Sequence, residues 1–98
     1  MNKKKLRYAI LKEIEKGNKS LTEDDFNAPE VTSAVFIEAI RHLNREGYIK
    51  GLAYGDDRPV LFEGTTYLTE KGETYLQENS FLAKGYKGLK EIRDWLKL

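Results

Sequence analysis

Apolar residues recur along this chain at helical spacing in some stretches and at strand-like spacing in others, and the changes divide it into elements. Leu6, Ile10 and Ile14 stand four apart and Leu11 widens the stripe, so residues 3–16 are predicted to form a helix with a buried face. Gly17 supplies a left-handed stop. Tyr8 falls on the opposite, otherwise charged side, which implies that a second element covers it. In "SLTEDDF", Leu21 reads as a brief strand. Thr22 with Asp25 has the form of a capping box, opening a one- or two-turn helix that ends near Phe26. Pro29 punctuates the connection.

The next helix is well signed. Thr32 is a good N-cap, and Val31 before it can staple against Phe36. Phe36, Ala39, Ile40 and Leu43 form the buried stripe, and Gly47 ends it. The opposite face presents Ala34, Glu38, Arg41 and Arg45, flanked by Ile37 and His42.

"YIKGLAY" and "VLFE" are strand candidates, joined by a "GDDR" turn with Pro59 opening an edge strand, and together they make a β-hairpin. "YLTEKGETYL" gives a cap at Thr69 and a short helix burying Tyr75 and Leu76. Ser80 is read as the cap of a last amphipathic helix over 81–97. Its apolar arc holds Phe81, Leu82, Leu89, Ile92, Trp95 and Leu96, with Gly85 and Gly88 on the same arc for close approach to helix 3–16. The other side carries Lys84, Lys87, Lys90, Glu91, Asp94 and Lys97. The order predicts an α+β winged helix-turn-helix: helix, short strand, two helices and a β-hairpin wing, with additional C-terminal helices, in a single domain over 1–98.

Composition narrows the function classes. The chain has 98 residues and no cysteine, so one modest core is expected, without disulfides or a cysteine zinc site. The basic N-terminus lacks a signal-peptide pattern and no apolar run spans a membrane, so the expectation is a soluble cytoplasmic protein. Seventeen Lys+Arg against 16 Asp+Glu leave a net charge of +1, well short of the basic balance usual for nucleic-acid binders. The positive charge gathers at the ends. Residues 1–17 hold six basic and two acidic side chains, residues 80–98 five and two, and the middle of the chain is acidic.

Several segments, "LRYAILKEI" at 6–14, "LNREGYIKG" at 43–51, "DDRP" at 56–59, "LTEKGETYL" at 68–76 and the closing "LKEIRDWLKL", resemble in order and spacing the YjcQ-like family of small bacterial and phage-related proteins. The resemblance covers nearly the whole chain. It implies a winged-helix fold and little about activity.

The chemistry that remains points to recognition. In a helix-turn-helix protein the outer face of the helix after Thr32 enters the major groove, where arginine reads guanine. The candidate DNA-binding residues are Ala34, Ile37, Glu38, Arg41 and Arg45 on that face, with Arg58 from the wing and cations of the chain ends on phosphates. The pairs Asp24–Asp25 and Asp56–Asp57 lack a third ligand at a metal-binding offset, His42 has no evident catalytic partner, and "GLAYG" is no phosphate-binding loop. No enzyme activity, metal or cofactor is expected. Tyr86, Leu89, Ile92, Trp95 and Leu96 mark either a packing face or a homodimer face. The leading expectation is a small transcriptional regulator binding double-stranded DNA. The alternative is a winged-helix module that docks another protein, for which an exposed Ile37 beside Arg41 would serve.

Overall fold

The computed structural model describes residues 1–97, so Leu98, the last residue of the closing motif, lies outside the described residues. It is a mixed α+β fold built on a central helix, α1 (Lys3–Glu15). The Asn2 side chain accepts from the Lys5 amide at 3.1 Å to cap it. Leu6, Ala9, Ile10, Leu11 and Ile14 are buried, as the stripe predicts, and so is Tyr8 on the other side. Both sides are covered because α1 packs against α2 (Ser33–Arg45) and α3 (Glu70–Glu78) and also against the C-terminal segment.

Between α1 and α2 the Thr22–Asp25 capping box forms, over a single 3₁₀ turn at Glu23–Asp25. Leu21 is buried in the core but is not in a strand, contrary to its reading as one, among the described residues. In α2, Thr32 Oγ1 accepts from the Val35 amide at 3.3 Å, and Phe36, Ala39, Ile40 and Leu43 are buried.

The strands differ from expectation in their pairing. "YIKGLAY" is split at Gly51, where φ is +81° and a Cβ would run into the Thr65 carbonyl. The hydroxyls of Thr65 and Thr66 both donate to the Gly51 carbonyl, at 2.7 and 2.9 Å, and hold the kink. Before it, β1 (Ile49–Lys50) pairs antiparallel with β4 (Tyr67–Leu68). After it, β2 (Ala53–Gly55) pairs with β3 (Arg58–Val60), Gly55 opposite Arg58. The two residues between them, Asp56 and Asp57, have φ +52° and +62°, the signature of the turn whose twist matches a hairpin. The strand expected over "VLFE" stops at Val60, and residues 62–66 turn back toward β4.

The continuous helix expected over 81–97 does not form. A 3₁₀ turn at Ser80–Ala83 is followed by Gly85 at φ +84° and Gly88 at φ +107°, a second 3₁₀ turn at Leu89–Glu91, and α4 (Ile92–Leu96). The glycines reverse the chain instead of letting two helices approach, and the cap position before the first turn falls on Asn79, which makes no side-chain cap, with Ser80 already inside the turn. The bends lay the segment over α1. Trp95 meets Tyr8 and Tyr86 at ring-centroid distances of 6.5 and 4.9 Å, and its Nε1 donates to the Leu82 carbonyl at 3.0 Å. Tyr86 OH donates to Glu13 Oε2 at 2.6 Å, and Asn18 Nδ2 donates to Oε1 at 2.6 Å, so the buried Glu13 carboxylate has a partner on each oxygen. Burial, and then this bond to Glu13, push the Tyr86 phenol up from its ordinary value. No helix among the described residues is long and apolar enough to cross a membrane.

Candidate nucleic-acid interface

The outer face of α2 is set by its caps and its buried stripe. With Phe36, Ala39, Ile40 and Leu43 turned inward, Ala34, Glu38, Arg41 and Arg45 are exposed, and Ile37 and His42 are half-buried beside them. Arg41 has no hydrogen bond or ion pair among the described residues, so its guanidinium keeps all its donors. Arg45 Nη2 lies 3.5 Å from His42 Nδ1. Burial, reinforced by Arg7 and Arg45, lowers the His42 pKa, so the ring is neutral at pH 7 and its nitrogen can accept from Arg45.

Glu38 is the one acid in the middle of this face. Lys3 Nζ reaches its Oε1 at 3.2 Å and Arg7 Nη2 at 4.0 Å, so two cations from the first turns of α1 compensate it. Lys3 and Arg7 thereby join the α2 surface, although the sequence offered them only as unnamed cations of a chain end, with no tie to Glu38. No local signal pairs residue 3 or 7 with residue 38, since only the folded α1–α2 contact brings them together.

Arg58 is placed differently from a phosphate-binding wing residue. Its Nη2 and Nη1 donate to the two oxygens of Glu23 at 2.9 and 3.3 Å, and Ser33 Oγ donates to Glu23 Oε2 at 3.0 Å. The pair of bonds from Arg58, with help from a backbone amide and Ser33, holds the Glu23 carboxyl down to about 2, and Glu23 in turn raises the Arg58 pKa. Glu23 therefore ties the hairpin to the first turn of α2, and Arg58, expected to face DNA phosphates, is held in this ion pair. The hairpin tip itself is acidic, with Asp56 and Asp57, and Tyr54 beside it is 71% exposed.

The remaining candidates sit on the far side of α1. Ile92, Trp95 and Leu96 are buried and Tyr86 and Leu89 half-buried against the core, so this set packs within the chain. Among the described residues no three His, Asp or Glu side chains converge as metal ligands.

Residues 5–95 match the family model described as "YjcQ protein". The chain belongs to the YjcQ family. It is 56% identical over 97 residues to a Bacillus subtilis (strain 168) relative described as "Uncharacterized protein YjcQ", covering 99% of this chain and 100% of that one. It is also similar to the solution NMR structure of the YjcQ protein from Bacillus subtilis, with a TM-score of 0.64 and 51% identity over 76% of this chain and 92% of that chain. The family matches the resemblance carried by "LRYAILKEI", "LNREGYIKG" and "LTEKGETYL".

Proposed function

We propose that this YjcQ-family chain is a winged-helix protein that binds double-stranded DNA through the outer face of α2, acting as a small transcriptional regulator of bacterial or phage origin. The order of α1, a short turn, α2 and the β2–β3 hairpin supports the winged-helix reading. One observation carries the DNA reading: Arg41 and Arg45 stand exposed one turn apart on α2, and the acid one turn before Arg41, Glu38, is compensated by Lys3 and Arg7. Arginines on such a face form bidentate bonds to guanine, and α1 cations at its border meet phosphates.

The acid-tipped hairpin favours a second reading, a docking module for another protein, because Asp56 and Asp57 repel phosphate and Tyr54 offers an exposed aromatic contact. Fluorescence anisotropy of a generic labelled duplex, at about 50 and about 200 mM salt, separates the two. DNA binding predicts an affinity that falls steeply with salt and drops further in Arg41→Ala and Arg45→Ala. Absence of binding at the lower salt removes the electrostatic basis for DNA and favours the protein partner.

A further inference from the structure

The two basic ends of the chain, separated by more than sixty residues of acidic sequence, meet in the fold. At about 100° per residue, Lys3 and Arg7 share one side of α1, Lys5 lies on the other, and Lys4 lies between them. The contacts follow that wheel. Lys3 and Arg7 reach Glu38 on α2. Lys5 Nζ donates to the Trp95 carbonyl at 2.9 Å and lies 5.1 Å from the Trp95 ring centroid. Lys4 Nζ lies 5.6 Å from the ring centroid of Phe81, which is 66% exposed. The Lys84 amide donates to the Phe81 carbonyl, so the exposed Lys84 follows at once, and the exposed Lys87 lies beyond the Gly85 bend. Lys84 and Lys87 make no ion pair among the described residues.

From this we infer that a single cationic belt runs from Arg41 and Arg45 on α2, around the N-terminal turns of α1, to Lys84 and Lys87, and that it carries the phosphate backbone of the duplex bound by α2. The inference rests on the reading of α2 as a DNA-binding face and extends its footprint to a surface the hairpin was expected to supply. The wing's one arginine, Arg58, is committed to Glu23, and its tip is acidic, so beyond the exposed Lys50 these lysines are the larger cationic surface beside α2. Lysine is suited to this task, because a mobile ammonium neutralises a phosphate without demanding fixed geometry. The charge is spread along the belt instead of gathered in one cleft, which fits a repeating backbone better than a single acidic side chain.

The test combines Lys4→Gln, Lys84→Gln and Lys87→Gln in the full chain, with folding checked by circular dichroism, and titrates a generic duplex across a salt series beside the wild type and Arg41→Ala. The triple variant is expected to bind about 1,000-fold more weakly at about 50 mM salt, with the slope of log affinity against log salt reduced by about one per lysine. Unchanged affinity and slope in the triple variant, with binding lost in Arg41→Ala, overturns the belt and leaves the α2 reading standing. No binding by the wild type removes the α2 reading and the belt with it. Loss of binding to vesicles of anionic phospholipid, with DNA binding unchanged, overturns the belt and assigns the surface to membranes.

Discussion

Replacing Glu23 by glutamine keeps the size of the side chain and its hydrogen bond to Ser33 while removing the charge that holds Arg58. The expected cost follows from the geometry. Two nitrogen–oxygen contacts at 2.9 and 3.3 Å join groups whose side chains are 17% and 27% exposed, and a hydroxyl adds a third bond at 3.0 Å. An exposed ion pair is worth about 0.2–1 kcal/mol, whereas removing one partner of a buried pair costs about 3–5 kcal/mol. This half-buried, bidentate pair lies between, at about 1.5–2.5 kcal/mol. For a domain of this size that corresponds to a fall in Tm of roughly 6–20 °C. The pH dependence sharpens the test. Glu23 is held at about 2 in the folded chain against an ordinary 4.5, so its contribution is complete above 4.5 and is lost as the pH falls toward 2. Urea unfolding of wild type and Glu23→Gln should therefore show the full difference at pH 7 and a shrinking one between pH 4.5 and 2. A difference below about 0.5 kcal/mol at pH 7, or one that stays constant down to pH 3, would refute the view that Glu23 locks the hairpin to α2.

Three further outcomes follow from the same contacts. Tyr86→Phe removes one donor to the buried Glu13 carboxylate and should destabilise the chain by about 1–3 kcal/mol in urea unfolding, with Asn18 left on Oε1 and only the longer Lys16 contact, at 3.6 Å, on Oε2. Gly51→Ala places a Cβ against the Thr65 carbonyl at positive φ and should cost upwards of about 2 kcal/mol, read as a lowered Tm together with shifted amide resonances in β1 and β4. Glu38→Gln removes the acid from the α2 face and frees Lys3 and Arg7, so it should raise affinity for a non-cognate duplex by about three- to tenfold at low salt, measured by anisotropy.

What could be read from the sequence was what is local. The α1 and α2 stripes, the Thr32 and Thr69 caps and the Thr22–Asp25 box each depend on residues within a few positions of one another, and each is formed. The segment from Ser80 onward failed the same approach, because its apolar spacing is equally satisfied by a straight helix and by two short turns folded onto α1. Gly85 and Gly88 decide between them through positive φ, which the spacing does not encode. Two-residue strands such as β1 and β4 are too short for periodicity to signal their pairing across 16 intervening positions. The exposed set on α2 was legible as a face, whereas the partners that tune it were not. Glu23–Arg58 and Lys3–Glu38 each join residues 35 apart, and only the packing of elements makes them neighbours.

Amide-resolved NMR of the labelled chain during titration with a duplex at low salt tests most directly whether α2 is the DNA-binding element. The account predicts shifts centred on Ala34, Ile37, Arg41 and Arg45, spreading to Lys3 and Arg7, with the Asp56–Asp57 tip unmoved. Shifts confined to the hairpin, or none anywhere on α2 at saturating duplex, would contradict it.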